Sequence, residues 1–385
     1  MMKKSVVNIS FLLVLFAFSL NNLFEIIQKE DTAENRRLNE KPVMDINELD
    51  VYPQAYNAYI DDNFSGRNYL VDLYGWINNH VFHKKSVLGK YIRGTDNFVF
   101  EAAKNLSIYT AKKTITNEQL DRMLTEFKTR QAYFDQLGIK MYILIIPSKY
   151  KVYSDKLPLL ISKGKNNMGD RFIKHIQENT NIPIIDGYPV LKEKSKTENV
   201  YYKYDTHWNP LGSFYVHQAL CNTIRNDFPS FPLMDTSTFT IQPFEKDKGN
   251  MKHAALDESD KDFGYTISPK NKSFKKINGY LHPAGDFTYG QYNYSRRYGS
   301  SHNEQPKALV FRDSFEGQTF SYLPEMFSEI LYIWDDWGYK FNKDIVDIEK
   351  PDIIIYAIYE GYLDRILLNP SFVEADADTD EKDIQ

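Results

Sequence analysis

The sequence predicts an α/β protein with a doubly wound parallel sheet and helices on both of its faces. Three short segments are almost entirely apolar, at residues 141–146, 307–311 and 352–358. Strands that are buried on both faces of a parallel sheet have this composition. Segments with helical periodicity separate them, and such alternation is typical of the doubly wound class. Functional side chains of these sheets gather at the carboxyl ends of the strands, so the residues after each strand are the first candidates for a site.

The first 27 residues predict a membrane segment. Met1-Met2-Lys3-Lys4 comes before an apolar run from Val6 to Leu20, which suits a secretory signal or a short anchor. Ala17-Phe18-Ser19 fits a small-x-small cleavage site, so a cleaved signal stays an open alternative. Apolar residues continue to Ile27, however, and favour an uncleaved signal anchor over residues 1–27. The lysines before the segment favour a single-pass topology with the rest of the chain outside the cytoplasm, in the periplasm or at the cell surface.

The remaining chain divides into three parts. Residues 28–50 are polar without periodicity and predict a linker, and residues 51–368 are long enough for one large α/β domain. The acidic residues 369–385 predict a disordered tail. The net charge of −5 comes from interspersed charges, which leaves no basic footprint for nucleic acid. The single cysteine, Cys221, excludes a disulfide framework and a cysteine-based metal site within one chain.

Local signals predict the elements in the first half of the domain. Residues 52–82 have a helical pattern, and the turn-prone residues 94–97 lie between two apolar runs, which predicts a hairpin. Thr116 and Gln119 form a capping box at the start of a helix over residues 117–137. This helix leads into the first apolar strand, so the two form the first α/β unit.

The alternation of strands and helices continues to the end of the domain. Asn209 is a suitable N-cap for a helix with Pro210 at its first position. Residues 228–305 lack clear periodicity, which predicts long loops and short strands. The other predicted elements are a helix near 168–178, a strand at 182–185, a strand at 307–311, a helical segment reaching Phe327, a strand at 330–334, a short helix past Ile345 and Ile348, and a strand at 352–358.

Two motifs far apart in the chain predict a nucleophilic site. In Asp205-Thr206-His207-Trp208 a carboxylate comes two residues before an imidazole. In an extended segment these two side chains share one face, so Asp205 can orient His207. Ser314 comes soon after the apolar strand that ends at Phe311, and therefore lies at a strand end. A serine, a base and a carboxylate that orients the base form the triad of nucleophilic catalysis.

Each motif alone has a simpler interpretation. A serine after a strand is usually a cap, and an isolated Asp-x-His is usually a hydrogen-bonded surface pair. Asp313 could act as a functional carboxylate, although its position beside Ser314 favours a role in stabilising the turn. His217 could pair with His207 around a metal, but their spacing does not place them on one helical turn. The two motifs together favour the triad.

The motifs resemble those of a known family. Asp-x-His-Trp followed by Asp-Ser-Phe resembles the alginate O-acetyltransferase-like branch of the SGNH hydrolase superfamily, which includes the AlgJ/AlgX-like and DHHW proteins. The resemblance extends to residues 62–67, 87–100 and 146–153, and so covers the chain from about residue 50 to 365. It implies a flavodoxin-like SGNH fold with circularly permuted motifs. In ordinary SGNH hydrolases the serine motif comes first, whereas here it comes after the Asp-x-His motif.

By this resemblance Ser314 is the nucleophile, His207 the base and Asp205 the orienting acid. The chain departs from the general hydrolase pattern at Arg312, which stands where those enzymes have a glycine before Asp-Ser. We find no segment that must supply the glycine and asparagine donors of the usual oxyanion hole. The backbone N–H of Ser314 is therefore the natural donor.

Other residues are candidates for supporting the triad or contacting substrate. The four that lie beside the motifs or at the ends of core strands are Arg312, Lys149, Tyr359 and Trp208. A second set could line a glycan groove or belong to a solvated loop, and its members are Arg296, Arg297, Tyr292, Tyr294 and Tyr298.

The resemblance implies an extracytoplasmic O-acetyltransferase that acts on a cell-surface or exported polysaccharide, as in alginate biosynthesis, through a serine acyl-enzyme. It also implies a membrane-bound O-acyltransferase of the MBOAT type as the partner that delivers acetyl, since free acetyl-CoA cannot be assumed outside the cell. The chain has no glycine loop for phosphates, which agrees with a protein that binds no CoA, and neither cofactor nor metal is expected. An esterase with the same triad and a non-catalytic, glycan-binding export scaffold remain alternatives.

Overall fold

A seven-stranded sheet forms the centre of the protein in the computed structural model. The structure describes residues 16, 41–44, 52–63, 86–87, 90–254, 260–277, 295–334, 339, 341 and 343–368. The predicted anchor apart from residue 16, the predicted linker apart from residues 41–44, and the predicted acidic tail lie outside the described residues. None of the described helices combines the length and the apolar character needed to cross a membrane.

Strands and helices alternate along the described residues. The strands are β1 (Ser86–Val87), β2 (Tyr91–Arg93), β3 (Val99–Glu101), β4 (Lys140–Ile146), β5 (Ile184–Asp186), β6 (Phe239–Lys246), β7 (Asp262–Pro269), β8 (Lys275–Lys276), β9 (Arg296–Gly299), β10 (Lys307–Arg312), β11 (Glu329–Trp334) and β12 (Ile353–Tyr359). The α-helices are α1 (Tyr52–Asn63), α2 (Lys104–Tyr109), α3 (Asn117–Gln136), α4 (Lys149–Val152), α5 (Met168–Asn179), α6 (Gly187–Lys194), α7 (Pro210–Asp227) and α8 (Lys343–Glu349).

The central sheet is parallel in its core and antiparallel at one edge. Its strands follow the order β5, β4, β12, β10, β11, β9 and β8. The first five strands run parallel to one another. β9 is antiparallel to β11, and β8 is antiparallel to β9. The predicted parallel sheet is thus present in five strands. Short strands were predicted in residues 228–305, but their place at the edge of this sheet was not. They come from the region without clear periodicity, and antiparallel edge strands on parallel sheets are common.

Helices cover both faces of the sheet. Along β12, Ile353, Ile355 and Ala357 pack into one apolar cluster with α7, whereas Ile354 and Ile358 pack into a second cluster with α3 and α5. Alternate side chains of a strand point to opposite faces, so every residue of β12 needs an apolar partner. This explains why the strand lacks polar alternation, and the doubly wound arrangement is observed.

The helix signals in the sequence correspond to real caps. Thr116 and Gln119 form the predicted capping box of α3, and the Asn209 side chain accepts a hydrogen bond from Gly212 N at the start of α7. The chain leaves α3 through Gly138 with φ of +72°, a conformation that favours glycine. Only residues 52–63 of the helix predicted at 52–82 lie within the described part of the chain.

Two small antiparallel sheets lie outside the central one. Strands β1, β2 and β3 form the first, and its β2–β3 hairpin turns at residues 94–97 as predicted, with positive φ at Asp96 and Asn97. Strands β6 and β7 form a separate hairpin. Both hairpins contribute residues near the carboxyl edge of the central sheet.

The segment after β10 differs from its prediction. The helical segment expected up to Phe327 consists of two short 3-10 helices, Ser314–Gln318 and Leu323–Met326. Pro324 has no N–H to donate, so one continuous α-helix would be interrupted there. The result is a short turn, rather than a long helix, directly after the central strand.

Candidate active site

The sequence motifs meet at the carboxyl edge of the sheet. β10 lies between β12 and β11 in the middle of the sheet, and Ser314 begins the 3-10 helix just after it. His207 lies three residues before Pro210, the first residue of α7. The side chains of Ser314 and His207 therefore approach each other from two different elements that are packed against the same sheet.

Ser314, His207 and Asp205 form one chain of hydrogen bonds. His207 Nε2 lies 2.8 Å from Ser314 Oγ, and His207 Nδ1 lies 2.7 Å from Asp205 Oδ1. The backbone N–H of His207 also donates to Asp205 Oδ1, at 3.0 Å. An ionised carboxylate only accepts, so Nδ1 has the proton and Nε2 can accept the serine hydroxyl proton. The catalytic roles of the three residues remain a prediction that this geometry supports.

The environment keeps Asp205 ionised. Burial of Asp205 disfavours its charged form, but the hydrogen bonds and the charge of His207 outweigh burial and lower the pKa of Asp205 to about 2. A carboxylate that stays charged at neutral pH holds the imidazole in one tautomer and stabilises the imidazolium that proton transfer would create.

Gly249 forms part of the wall around Asp205. A Cβ atom added at Gly249 would come within 2.3 Å of Asp205 Oδ2, which is far closer than atoms can approach. A side chain at this position must therefore displace the carboxylate or the backbone beside it.

We expect Gly249→Ala to slow turnover of an acetyl ester by about 10²-fold, because shifts of about 1 Å at a reacting group have effects of this size. Steady-state kinetics and the melting temperature of the variant test this. The control is Gly317→Ala, since a Cβ at Gly317 would meet no atom within 4 Å. A wild-type rate for Gly249→Ala would show that the position of Asp205 is unimportant.

Two buried charges hold the segment that contains Asp205. The Asp262 carboxylate accepts from the backbone N–H groups of Lys203 and Tyr204, at 2.9 and 2.8 Å. Lys149 Nζ donates to three backbone carbonyls, those of Val99 (2.7 Å), Lys203 (2.7 Å) and Asp205 (3.2 Å). Burial lowers the pKa of Lys149 to about 7. Lys149 is therefore a support for the Asp205 segment. Asp262 lies in the region predicted as long loops and short strands, and it had no sequence signal.

Asp313 organises the turn that contains Ser314. Its buried carboxylate accepts from Phe315 N (2.8 Å), Tyr359 N (2.7 Å) and the Tyr339 hydroxyl (2.7 Å). Burial raises the pKa of Asp313 to about 6, and these hydrogen bonds limit the rise. The contacts support the interpretation that Asp313 stabilises the turn.

Aromatic rings pack against the turn that contains Ser314. Trp208 is fully buried and its Nε1–H donates to the carbonyl of Phe315 at 2.8 Å, so it supports the turn and does not face a substrate. The Phe315 ring lies 4.6 Å from the His207 ring and stacks on the ring of Tyr359, also at 4.6 Å.

A family model matches the part of the chain that contains the Asp205–His207 segment. Residues 92–275 match the model described as SGNH hydrolase-like domain, acetyltransferase AlgX. This part of the chain is similar to the AlgJ/AlgX-like branch of SGNH hydrolase-like proteins. The motif resemblance is thereby confirmed. No curated protein is similar enough in sequence to count as a relative.

Solved structures share the fold of this chain. The structure of Bacillus cereus PatB1 is 16% identical, with a TM-score of 0.52, over 71% of this chain and 97% of that one. A DHHW family protein from Eubacterium siraeum is 14% identical, with a TM-score of 0.51, over 74% of this chain and 97% of that one. At such identities the likeness shows a common fold.

Arg312 stands where general SGNH hydrolases have a glycine. Its side chain lies among aromatic rings. Its guanidinium lies 5.2 Å from the ring of Phe320 and 4.9 Å from the ring of Trp334, and it donates to the carbonyl of Asp313 at 3.0 Å. Burial lowers the pKa of Arg312 to about 10. The residue therefore packs behind the Ser314 turn.

A small cleft lies beside the triad. Thr206, between Asp205 and His207, forms one side of it, and Tyr359 forms another. The Tyr359 hydroxyl donates to Asn105 Oδ1 at 2.7 Å, which orients the amide at the cleft. The other lining residues are Phe100, Glu101, Lys149, Tyr150 and Met251. Asn105 had no sequence signal, because a single asparagine in a short helix is unremarkable until its neighbours are known.

The remaining candidates are separate from the triad. His217 does not face His207, because its ring nitrogens contact Ser213 and Glu316, so the pairing of two histidines around a metal is wrong. Among the described residues, no group of three or more His, Cys, Asp or Glu is arranged to hold a metal. Arg297 pairs with Glu329 and Glu349 on the edge of the sheet, and Arg296 and Tyr298 lie on the same strand. Tyr292 and Tyr294 lie outside the described residues.

Proposed function

We propose that the protein is an extracytoplasmic O-acetyltransferase that modifies the hydroxyls of a polysaccharide through an acyl-enzyme at Ser314. The observation that supports this most is the hydrogen-bonded chain from Asp205 through His207 to Ser314. Asp205 and His207 lie within residues 92–275, which match the AlgX-type model. A serine that is hydrogen-bonded to an oriented imidazole is the arrangement that nucleophilic acyl transfer requires.

In the first half-reaction Ser314 Oγ attacks the acetyl carbonyl of a donor ester, and the hydroxyl proton moves to His207 Nε2. Asp205 stabilises the imidazolium through Nδ1. The proton then passes to the leaving oxygen of the donor, and acetyl stays on Ser314. The Ser314 backbone N–H is the proposed donor to the developing oxyanion.

In the second half-reaction a sugar hydroxyl replaces the donor. It gives its proton to His207 and attacks the acetyl-Ser314 carbonyl, and the proton then returns to Ser314 Oγ as the ester bond to the enzyme breaks. Water in place of the sugar would make the same protein an esterase, so the acceptor decides between the two activities.

The experiment separates transfer from hydrolysis. The purified protein is incubated with an aryl acetate, with and without neutral or acidic oligosaccharides, and mass spectrometry detects acetylated sugar. Acetylated sugar that depends on Ser314 supports the transferase. Free acetate alone, at a rate independent of the sugar, would identify an esterase instead.

We also propose that residues 1–27 anchor the protein in the cell membrane, where an MBOAT-type partner supplies acetyl. The positively charged start and the apolar run up to Ile27 support this. Expression without residues 1–27 is expected to move the protein from the membrane fraction to the soluble fraction with its melting temperature unchanged. An aggregated product would indicate that the segment belongs to the folded core.

A further inference from the structure

A buried pair of titratable side chains connects the turn that contains the proposed nucleophile to the helix that follows the proposed base. His217 lies on α7, and Glu316 lies two residues after Ser314 on the 3-10 turn. His217 Nε2 is 3.1 Å from Glu316 Oε2, and the two side chains are 1% and 0% exposed. The proposed mechanism uses neither group.

The hydrogen bonds show how many protons the pair holds. His217 Nδ1 lies 2.8 Å from the carbonyl oxygen of Ser213, which can only accept, so Nδ1 has a proton. His217 Nε2 faces a carboxylate, and that contact is favourable only if one more proton lies between them. Within the described residues, the other carboxylate oxygen, Glu316 Oε1, is buried without a hydrogen-bond partner. His217 is therefore the residue that balances the negative charge of Glu316.

The pair and Trp208 link the same two elements. His207 precedes α7 and His217 lies within it, so a shift of α7 moves both histidines together. Trp208 Nε1 donates to the carbonyl of Phe315, and His217 contacts Glu316 one residue further along the turn. Ser314 thus lies directly before two consecutive residues, of which Phe315 contacts the residue after His207 and Glu316 contacts α7.

We propose that His217 and Glu316 are positioning residues, which act as a proton-dependent clamp that sets the distance between Ser314 Oγ and His207 Nε2. The clamp rests on the proposed function only in taking Ser314 as the nucleophile. Loss of the shared proton would leave the Glu316 carboxylate facing the lone pair of a neutral imidazole. Two electron-rich atoms at this distance repel each other, so the turn would move away from α7.

The surroundings of the pair set the pH range over which the clamp opens. Burial of His217 disfavours its charged form, but Glu316 outweighs burial and raises the pKa of His217 above its usual value. The clamp is therefore closed at neutral pH and opens as the pH rises through that raised value. The other titratable or charged groups around the pair are Asp313, Arg312, Tyr322, Tyr332 and Cys221.

The test measures the reactivity of Ser314 without any acceptor. The whole protein reacts with phenylmethylsulfonyl fluoride between pH 6 and 10, and mass spectrometry follows the sulfonylation of Ser314. The wild-type rate is expected to decline at alkaline pH, where the clamp opens. In Glu316→Gln the amide can donate to neutral His217, so the rate near pH 7 stays close to wild type and this alkaline decline disappears. Titration of Lys149 affects both proteins alike and cancels in the comparison.

Glu316→Leu removes the clamp and is expected to lower the sulfonylation rate and kcat for an acetyl ester by about 10- to 100-fold with KM little changed. The matched control is Glu126→Leu. Glu126 pairs with Arg130 at 2.8 Å, is equally buried, and lies on α3 at the opposite face of the sheet. This control should lose a similar amount of thermal stability and keep the wild-type rate.

Several outcomes would overturn the clamp. These are a wild-type rate in Glu316→Leu, an equal loss of rate in Glu126→Leu, or the same alkaline decline in Glu316→Gln as in the wild type. A wild-type Ser314 that does not react would also overturn it. If Glu316→Leu does not fold, the comparison of the wild type with Glu316→Gln decides the question. A wild-type protein that is sulfonylated but does not acetylate sugars would contradict only the proposed function.

Discussion

Replacing Ser314 with alanine is expected to abolish acyl transfer and leave the fold intact. The Ser314 side chain makes a hydrogen bond to His207, and the turn itself is held by Asp313 and Trp208, which the substitution does not change. Loss of the nucleophile should lower kcat by about 10⁶-fold. The measurements are acetyl-ester kinetics in vitro and the O-acetyl content of the polysaccharide in cells that contain the variant at normal level.

Ser195→Ala is the matched control for this substitution. The Ser195 hydroxyl also makes one hydrogen bond, to the carbonyl of Lys192 at 2.8 Å, at the end of a helix remote from the triad. We expect its activity to equal that of the wild type. Normal acetylation of the polysaccharide by the Ser314→Ala strain would leave only the scaffold alternative.

Asp205→Asn is expected to lower kcat by about 10⁴-fold, because the neutral amide permits the wrong imidazole tautomer and no longer stabilises the imidazolium. His207→Ala should lose as much activity as Ser314→Ala, and the double variant should lose little more, since the residues act as a unit. Rates measured with one acetyl ester for all four proteins test both statements. Losses that simply add in the double variant would contradict a shared mechanism.

The stability of Asp205→Asn relative to the wild type should depend on pH in a defined window. The folded-state pKa of Asp205, about 2, is below the usual value of 3.8. Its ionised form therefore stabilises the folded wild type above pH 4, and this advantage is lost as the pH falls toward 2. Denaturant unfolding of both proteins at several pH values should show two free energies of unfolding that converge over that range. A constant difference would mean that Asp205 is not held by His207.

Local chemistry in the sequence was sufficient for most of the elements around the site. The apolar composition of β4, β10 and β12 identifies strands buried on both faces, because a residue with no solvent-exposed side cannot alternate with polar neighbours. The capping residues Thr116 and Asn209 predict two helix starts, since a cap is a contact between residues three apart or fewer. These signals need no information about the rest of the fold.

The edges of the fold were harder to predict for a physical reason. Strands β8 and β9 are two and four residues long. The pairing of β9 with β11, and of β8 with β9, depends on neighbours that the sequence does not place. The segment from Ser314 to Phe327 was predicted as helical. Tertiary packing instead favours two short 3-10 helices there.

The sequence by itself determined the chemical types at the site: a carboxylate two residues before a histidine, a serine at a strand end, and the family that has both. Only the tertiary structure decided that Ser314 lies 2.8 Å from His207, that Asp262 and Lys149 hold the Asp205 segment, and that His217 contacts Glu316. These contacts join residues between 56 and 107 positions apart. Their distances depend on how helices pack on the sheet, which is a property of the whole core and of no local pattern.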